Sequence, residues 1–199
     1  MASIREFIGE DNVTEVTWQV GPLVDGKEVV MVYSTDLDTR EFYTDSSGRQ
    51  MIKRTYNEDT AEPAAGNYYP VTTRLEMRPG TEAVSVITDR SQGGSSQHPG
   101  EMELMVHRRC VSDDGYGVGE ALMEDAYGVG LVARGKHFIR ADSLAGARRT
   151  QQEKVLTPQL FFLATELTLD QWVEAGPRPY SGVVSDKLPD AVQVRSGVR

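Results

Sequence analysis

Short runs of alternating apolar and polar residues restrict the fold of this chain more than any other feature of its sequence. In residues 13–20, Val16, Trp18 and Val20 fall on one side of an extended chain and polar residues fall on the other. Because successive side chains of a β-strand point to opposite faces, this period of two predicts a strand that is buried on one face. Similar segments recur at residues 71–77, 83–88, 102–107, 136–140, 159–168 and 191–195.

Two other segments add to the predicted β-structure. Residues 28–34 are apolar on both faces, which favours a buried central strand, and residues 42–54 are typical of a hairpin that turns at 45–48. One short helix is predicted near residues 142–154, with Asp142 or Ser143 as its cap. The chain is therefore predicted to be mainly β: an antiparallel, supersandwich-like β-sandwich with one short helix.

Charge and cysteine content argue against several kinds of function. The 199 residues carry 30 acidic and 21 basic side chains, a formal net charge of −9, which disfavours binding to nucleic acids or anionic membranes. No run approaches the roughly 18 apolar residues of a membrane-spanning helix, and residues 1–12 contain no apolar core of a signal peptide. Cys110 is the single cysteine, so an intrachain disulfide is impossible and a buried structural thiol is favoured.

The residues that could bind a metal are too scattered to predict a site. His98, His107 and His137 lie far apart in the sequence and lack a second ligand at helical spacing. Residues 113–117, Asp-Asp-Gly-Tyr-Gly, resemble part of a calcium loop but lack its later ligands. We therefore predict a tight loop whose aspartates accept hydrogen bonds from backbone amides, and no metal site in this chain.

A small, glycine-rich segment at residues 89–96 is open to two interpretations. It lacks the Gly-Lys-Ser/Thr ending of a nucleotide-binding loop. It could form a close-packed turn between two strands. Alternatively, it could be a loop that presents Asp89 or Arg90 at an interface or a ligand cleft.

Two adjacent arginines, Arg108 and Arg109, follow a predicted strand. Adjacent side chains of a strand face opposite sides, so one arginine is expected to face inward and the other solvent. An inward arginine needs a carboxylate partner, which Asp89, Asp113 or Asp114 could supply. A structural arginine–aspartate network and a substrate-facing arginine both remain open.

Several collinear blocks of the sequence resemble the C-terminal β-rich region of glycoside hydrolase family 38, the lysosomal-type α-mannosidases. The similarity extends from about residue 13 to residue 194. Its blocks are FYTDSSGR at 42–49, EPAAGNYYPV at 62–71, TDRSQGGSS at 88–96, GEMELMVHRRCVSDDGYGVGEALME at 100–124, VARGKHF at 132–138, KVLTPQLFF at 154–162 and SDKLPDAVQV at 185–194.

This resemblance implies a parent enzyme that is a retaining exo-α-mannosidase, hydrolysing terminal α-mannose of N-glycans in a lysosome or vacuole. In the family, zinc and an aspartate nucleophile belong to an N-terminal α/β catalytic domain, whose motifs are absent here. Residues 1–199 are thus expected to be a fragment of the C-terminal β domain. Alone the fragment is expected to be inactive and without a cofactor.

The resemblance also implies a role for this region beside the catalytic domain. It would pack on that domain and help to close the cleft that holds a mannose-containing glycan. An arginine of the HRR-type segment reaches the cleft in the family, and this role transfers to Arg108 or Arg109, supported by Asp113 and Asp114. Neither a nucleic acid nor a membrane is an expected partner.

The alternative is a free-standing, non-catalytic carbohydrate-binding β-sandwich. Exposed aromatic side chains such as Tyr68, Tyr116 or Tyr180 would provide its sugar-stacking surface. Independently of either function, Asn12-Val13-Thr14 is a sequon for N-glycosylation, which makes Asn12 a candidate acceptor in a secretory compartment.

Overall fold

The computed structural model describes residues 2–8, 12–151 and 155, with the backbone alone described for residues 2–8. Within these residues it contains thirteen strands, a short 3-10 turn at Ala65–Asn67 and one α-helix. The elements are β1 (Ala2–Ile8), β2 (Thr14–Val20), β3 (Lys27–Ser34), β4 (Glu41–Asp45), β5 (Met51–Thr55), β6 (Tyr69–Val71), β7 (Arg74–Met77), β8 (Glu82–Thr88), β9 (Gln92–Ser95), β10 (Glu101–Arg109), β11 (Asp125–Ala126), β12 (Val129–Gly130), β13 (Ala133–Ser143) and α1 (Leu144–Gln151).

The strands form two main antiparallel sheets and a small hairpin. The larger sheet has the order β1-β2-β13-β8-β7-β4-β5, the smaller has the order β3-β10-β9-β6, and β11 pairs with β12. The main core draws on both large sheets and contains the buried side chains of Phe42, Val71, Leu75, Met77, Val86, Met102 and Leu104. Because burying one such side chain contributes about 1.5–3 kcal/mol, this shared core holds the sheets together. The predicted antiparallel β-sandwich is confirmed.

Where the alternation is regular, the sequence predicts the strand correctly. Val16, Trp18 and Val20 of β2 are buried, and the hairpin predicted at residues 42–54 is β4–β5. The helix α1 follows Ser143, whose Oγ accepts a hydrogen bond from the Gly146 amide at 3.2 Å. Ser143 therefore caps the helix as predicted, since a serine oxygen can bind a free amide of the first turn.

The prediction for residues 28–34 is wrong in its position within the sheet. This segment is β3, and in the described sheet it pairs with β10 alone, so it lies at an edge and not at the centre. Val32 is 47 % exposed on its outer side. Apolar residues on both faces thus reflect an edge strand with a partly exposed apolar outer face.

Residues 71–77 form two strands in different sheets, instead of the predicted single strand. The Asp45 carboxylate turns the chain between them: Oδ1 accepts hydrogen bonds from the amides of Thr73 and Arg74, both at 2.9 Å, and Oδ2 accepts one from Thr73 Oγ1 at 2.7 Å. The side chains of Arg74 and Glu76 lie on the polar side of the alternation, yet both are buried, and they form an ion pair of 2.9 Å.

The glycine-rich segment and the cysteine also differ from expectation. Residues 92–95 are strand β9, whereas the sequence favours a turn or a loop. A Cβ at Gly94 would lie 2.6 Å from Val71 Cγ2, so glycine permits close packing there. Cys110 is half-buried instead of fully buried. The strands predicted at 159–168 and 191–195 lie outside the described residues.

Within residues 2–8, 12–151 and 155, no helix is long and apolar enough to cross a membrane.

Candidate functional site

The side chain of Arg109 ties three segments of the chain together at the end of β10. Its Nε donates a hydrogen bond to Asp25 Oδ1 at 2.6 Å, and its Nη1 donates to Asp125 Oδ1 at 3.1 Å and to the Glu124 carbonyl at 3.2 Å. The hydrogen bond to Asp25 is the main cause that raises the pKa of Arg109 above its ordinary value. We call these four residues the Arg109 anchor.

Arg108 faces the other side of the strand, as the alternation predicts. Its side chain is 53 % exposed, and its Nη1 lies 4.0 Å from Glu28 Oε1. Solvent screens such a contact, so it holds the arginine only weakly. The guanidinium of Arg108 therefore remains accessible, whereas that of Arg109 is committed to two carboxylates.

The carboxylates predicted to pair with the inward arginine are the wrong ones. The side chains of Asp113 and Asp114 accept hydrogen bonds from the amides of Gly115 and Tyr116, both at 3.0 Å. This is the predicted tight loop, in which each aspartate stabilises its own turn. Neither aspartate is a partner of Arg109, which binds Asp25 and Asp125.

A register argument could have found Asp25. Arg109 is the residue opposite Lys27 in the antiparallel pair of β10 and β3. Asp25 lies two residues before Lys27, next to the arginine, and the Gly26 amide donates a hydrogen bond to the Arg109 carbonyl at 2.8 Å. Sequence reasoning missed this partner because the pairing of the two strands was not assigned.

Asp89 and Arg90 form a second charged group at the end of β8. The Arg90 guanidinium donates two hydrogen bonds of 3.0 Å to the Asp89 carboxylate, which also accepts one from the Lys136 amide at 3.1 Å. The guanidinium lies 5.6 Å from the centre of the Trp18 ring. These bonds raise the pKa of Arg90, and they bind the pair to its own sheet and away from the Arg109 anchor.

His137 forms a buried polar link between the two sheets that the sequence does not reveal. Its Nδ1 lies 2.7 Å from the Tyr33 hydroxyl, and its Nε2 lies 2.8 Å from Gln92 Oε1. The Gln92 amide group donates to the Met105 carbonyl at 2.8 Å, which leaves Oε1 as the acceptor. His137 thus carries its proton on Nε2 and accepts from Tyr33. Burial is the main cause that lowers its pKa to about 4.

Residues 111–131, which we call the acidic arm, leave the sandwich after Cys110 and return at β13. The Cys110 amide donates to the Leu122 carbonyl at 3.1 Å, and the His107 ring nitrogen Nε2 lies 3.1 Å from the Leu131 carbonyl. Together with the Arg109 anchor, these bonds hold the base of the arm. Strands β11 and β12 form a hairpin within it.

The two arginines border a cleft beneath the acidic arm. Its volume is about 20 Å³, which is room for one water molecule and too little for a sugar ring. The residues that line it are Leu23, His107, Arg108, Arg109, Leu122, Glu124 and Leu131. The cleft by itself is therefore too small to be a sugar-binding site.

A larger cleft of about 260 Å³ lies at a separate place on the sandwich. It is lined by Leu37, Asp38, Thr39, Glu41, Tyr43, Arg78 and Pro79. The Arg78 guanidinium stacks 3.8 Å from the centre of the Tyr43 ring, so it covers a face on which a sugar could stack. Arg78 also pairs with buried Glu76 at 2.6 Å, which fixes it in this position.

The described residues do not fit a zinc ion. Across residues 12–151 and 155, no group of three or more histidine, cysteine, aspartate or glutamate side chains is placed to hold a metal. Of the three histidines, the two that lie in strands are engaged elsewhere, His107 with Leu131 and His137 with Tyr33 and Gln92. Asn12 of the sequon is exposed and has a φ of 55°. Its glycosylation stays a prediction.

The chain is similar to proteins of a known family. The family model described as "Glycosyl hydrolases family 38 C-terminal domain" matches residues 9–116. The lysosomal alpha-mannosidase of Homo sapiens is 44 % identical over 172 residues, covering 79 % of this chain and 17 % of that protein. For the Felis catus protein of the same name, the identity is 42 % over 206 residues, covering 96 % and 20 %.

A plant relative extends the comparison. The alpha-mannosidase of Canavalia ensiformis is 38 % identical over 213 residues, covering 96 % of this chain and 22 % of that protein. The chain thus spans about a fifth of the length of the curated relatives it matches. The resemblance predicted from the sequence blocks is confirmed: the chain belongs to glycoside hydrolase family 38 and corresponds to the C-terminal domain of its members.

Proposed function

We propose that residues 1–199 are part of the C-terminal β domain of a retaining exo-α-mannosidase that hydrolyses terminal α-mannose of N-glycans in a lysosome or vacuole. The observation that carries this proposal is the family match together with relatives that are named lysosomal alpha-mannosidase. Because the chain corresponds to about a fifth of those relatives, the rest of the parent polypeptide supplies the catalytic domain.

In this proposal the domain packs on the catalytic domain and closes one side of its cleft. The exposure of Arg108 supports this, since its guanidinium is 53 % exposed beside a cleft of about 20 Å³ that cannot hold a sugar by itself. The same reasoning makes the catalytic domain of the parent enzyme the partner of this face, and a mannose-containing glycan the ligand between them.

The two arginines have different parts in this proposal. Arg108 is 53 % exposed and weakly held, so it is the arginine that can donate hydrogen bonds to a substrate hydroxyl group. Arg109 is held by Asp25 and Asp125, which makes it a positioning residue for the base of the acidic arm. Asp113 and Asp114 stabilise the loop of the arm and do not contact either guanidinium.

Zinc, which the family resemblance implies for the parent enzyme, is not assigned to the described residues. They offer no cluster of three ligands. We assign the metal ligands and the nucleophile to the catalytic domain, and we assign no catalytic residue and no cofactor to this chain. Asp89 and Arg90 bind each other. They remain candidates for contact with the substrate cleft of the parent enzyme through the exposed side of Arg90.

A second candidate function is a free-standing sugar-binding module. Tyr116 is 94 % exposed, and the cleft of about 260 Å³ has room for a monosaccharide. Of the other two tyrosines considered, Tyr68 donates a hydrogen bond to Glu103, and Tyr180 lies outside the described residues. Mannose oligosaccharides that released heat on titration into the chain alone would favour this module.

An activity assay of the chain, with and without a catalytic portion from a relative, distinguishes the two functions. An aryl α-mannoside is incubated at pH 4.5–6 with the pure chain, and then with the chain plus the N-terminal part of the cat relative. The proposed function predicts turnover by the mixture and none by the pure chain. It also predicts no heat when mannose oligosaccharides are titrated into the pure chain. Turnover by the pure chain, or a mixture as inactive as the N-terminal part by itself, would overturn the proposal.

A further inference from the structure

The exposed apolar side chains of this protein are concentrated on the acidic arm. Of the nine large hydrophobic side chains that are exposed in the described residues, seven belong to residues 111–131. Val111 and Leu131 lie at the two ends of the arm, and the other five are Tyr116, Val118, Met123, Tyr127 and Val129. Apolar side chains scattered singly on a surface are ordinary, but a concentration of them marks an interaction site.

The arm is fixed to the sandwich at its base. The Arg109 anchor, the bond from Cys110 to Leu122 and the contact of His107 with Leu131 all hold that base. The apolar side chains beyond this base are therefore presented in a defined arrangement. Little conformational entropy remains to be lost when a partner covers them.

The tip of the β11–β12 hairpin places a fully exposed aromatic ring in an unfavourable backbone conformation. Strands β11 and β12 are joined by Tyr127 and Gly128, whose φ values are 57° and 75°, as in a type I′ turn. Such turns prefer Asn-Gly, and a tyrosine with positive φ is strained. The Tyr127 ring is fully exposed, so the described contacts of the folded chain do not account for its presence there.

The charge of the arm restricts the kind of surface that can cover it. Residues 111–131 contain five acidic side chains and no basic ones. Among the described residues, four of these carboxylates do not pair with an arginine or lysine, the exception being Asp125 in the Arg109 anchor. A partner surface that combined apolar side chains with lysine or arginine at its rim would match the arm.

We propose that the acidic arm is the docking element of this domain, and that its occupant is an apolar, basic-rimmed surface on the part of the parent polypeptide that precedes the matched region. This rests on the proposed function. The relatives are about five times as long as this chain, and the family model that it matches is described as a C-terminal domain, which supports a part preceding the matched region. Tyr127, at the strained turn, is the central contact.

An exchange enzyme provides the test: the cat lysosomal relative in which this chain replaces the region that matches it. Hydrogen exchange of the arm is measured in the exchange enzyme and in the chain alone. Docking predicts that amides of residues 111–131 exchange at least about tenfold more slowly in the exchange enzyme. Turnover of an aryl α-mannoside, measured on the same sample, reports the proposed function separately.

Substitutions at the tip separate docking from folding. Tyr127→Asn produces the preferred Asn-Gly turn, so the chain alone should melt at the same or a higher temperature. In the exchange enzyme the same substitution should restore fast exchange of the arm, because the central apolar contact is lost. Val129→Thr should weaken protection to a smaller degree. The matched control is Val32→Thr, a similarly exposed strand valine outside the arm.

Each remaining outcome identifies a different occupant or none. Equal exchange of the arm in both proteins, with turnover intact, would overturn the docking proposal and leave the proposed function standing. Slow hydrogen exchange of the arm in the monomeric chain alone would mean that other residues of this chain cover the arm. Hydrogen exchange that slowed as the chain concentration rose would mean that a second copy of the chain covers the arm. Each of these two results would overturn the proposed occupant.

Discussion

The Tyr33 hydroxyl lies 2.7 Å from Nδ1 of His137 and joins the smaller sheet of the sandwich to the larger one. Gln92 completes the link from the other side of the imidazole. The histidine is buried and neutral, because burial lowers its pKa to about 4. The link therefore persists at the acidity of a lysosome or vacuole, near pH 5, where an exposed histidine would be charged.

This pKa predicts how stability depends on pH. In the unfolded chain the pKa of His137 is near 6.5, so between pH 6.5 and 4 the unfolded state binds more protons than the folded state. The free energy of unfolding should thus fall on acidification, by up to about 1.4 kcal/mol per pH unit from this residue. Urea unfolding at several pH values measures the slope.

Two charged groups near His137 act on its pKa, and a variant without the imidazole is the control for this slope. Asp89 raises the pKa of the imidazole and Arg90 lowers it, so the two partly cancel. His137→Gln should reduce the dependence of stability on pH over this window, since glutamine does not titrate there. A wild-type slope in His137→Gln would show that other groups cause it.

Removal of the Tyr33 hydroxyl should destabilise the sandwich. Tyr33→Phe leaves Nδ1 of His137 buried without this donor, at a cost of about 1–3 kcal/mol. Chemical unfolding measures the change. Tyr56→Phe is the matched control, because the Tyr56 ring stacks with Arg40 near the surface. The free energy of unfolding of this variant should lie within about 0.5 kcal/mol of the wild-type value. Equal stabilities of the two variants would contradict the role of the link.

Glu76 is predicted to be one of the most sensitive positions of the fold. It is fully buried and pairs with Arg74 at 2.9 Å and with Arg78 at 2.6 Å, while burial lowers the pKa of Arg74. Glu76→Ala would leave the Arg74 charge buried without its partner, at a cost of about 3–5 kcal/mol. The exposed pair of Arg40 and Glu58 offers a control.

Glu58→Gln is the control variant for Glu76→Ala. The Glu58 side chain is 77 % exposed, so loss of its ion pair should change stability by less than about 1 kcal/mol. Unfolding curves of the two variants are measured in the same buffer. Similar midpoints for Glu76→Ala and Glu58→Gln would mean that the buried pair does not stabilise the fold as described.

Two glycines give a matched pair for packing. Gly94→Ala places a Cβ 2.6 Å from Val71 Cγ2 and 3.3 Å from Leu104 Cδ2, so we expect a loss of about 1–3 kcal/mol from overpacking. Gly117→Ala meets nothing within 4 Å and should leave stability unchanged. Thermal unfolding compares them, and a stable Gly94→Ala protein would contradict the close contact of β9 and β6.

Much of the fold could be predicted because local pattern and tertiary burial agree in strands such as β2, where Val16, Trp18 and Val20 are all buried. The turn between Val71 and Arg74 could not, because it depends on a carboxylate at Asp45, which is distant in the sequence. Period-two alternation continues across that turn and conceals the change of sheet.

The same limit applies to the candidate site. The opposite faces of Arg108 and Arg109 follow from strand geometry alone, but the partner of Arg109 lies 84 residues away at Asp25. Selecting it requires the pairing of β10 with β3, which the sequence pattern does not specify. Membership of the family came from collinear sequence blocks, which record common descent and are independent of any physical derivation of the fold.

We propose that this chain is part of the C-terminal β domain of an α-mannosidase and that it presents Arg108 to the cleft. The most direct test is kcat/KM of the exchange enzyme for an aryl α-mannoside, with and without Arg108→Ala. We predict turnover by the exchange enzyme, none by the chain alone, and a loss of about tenfold or more in kcat/KM for Arg108→Ala with an unchanged melting temperature. An exchange enzyme that folds but has no turnover, or a chain that turns over substrate alone, would contradict the account.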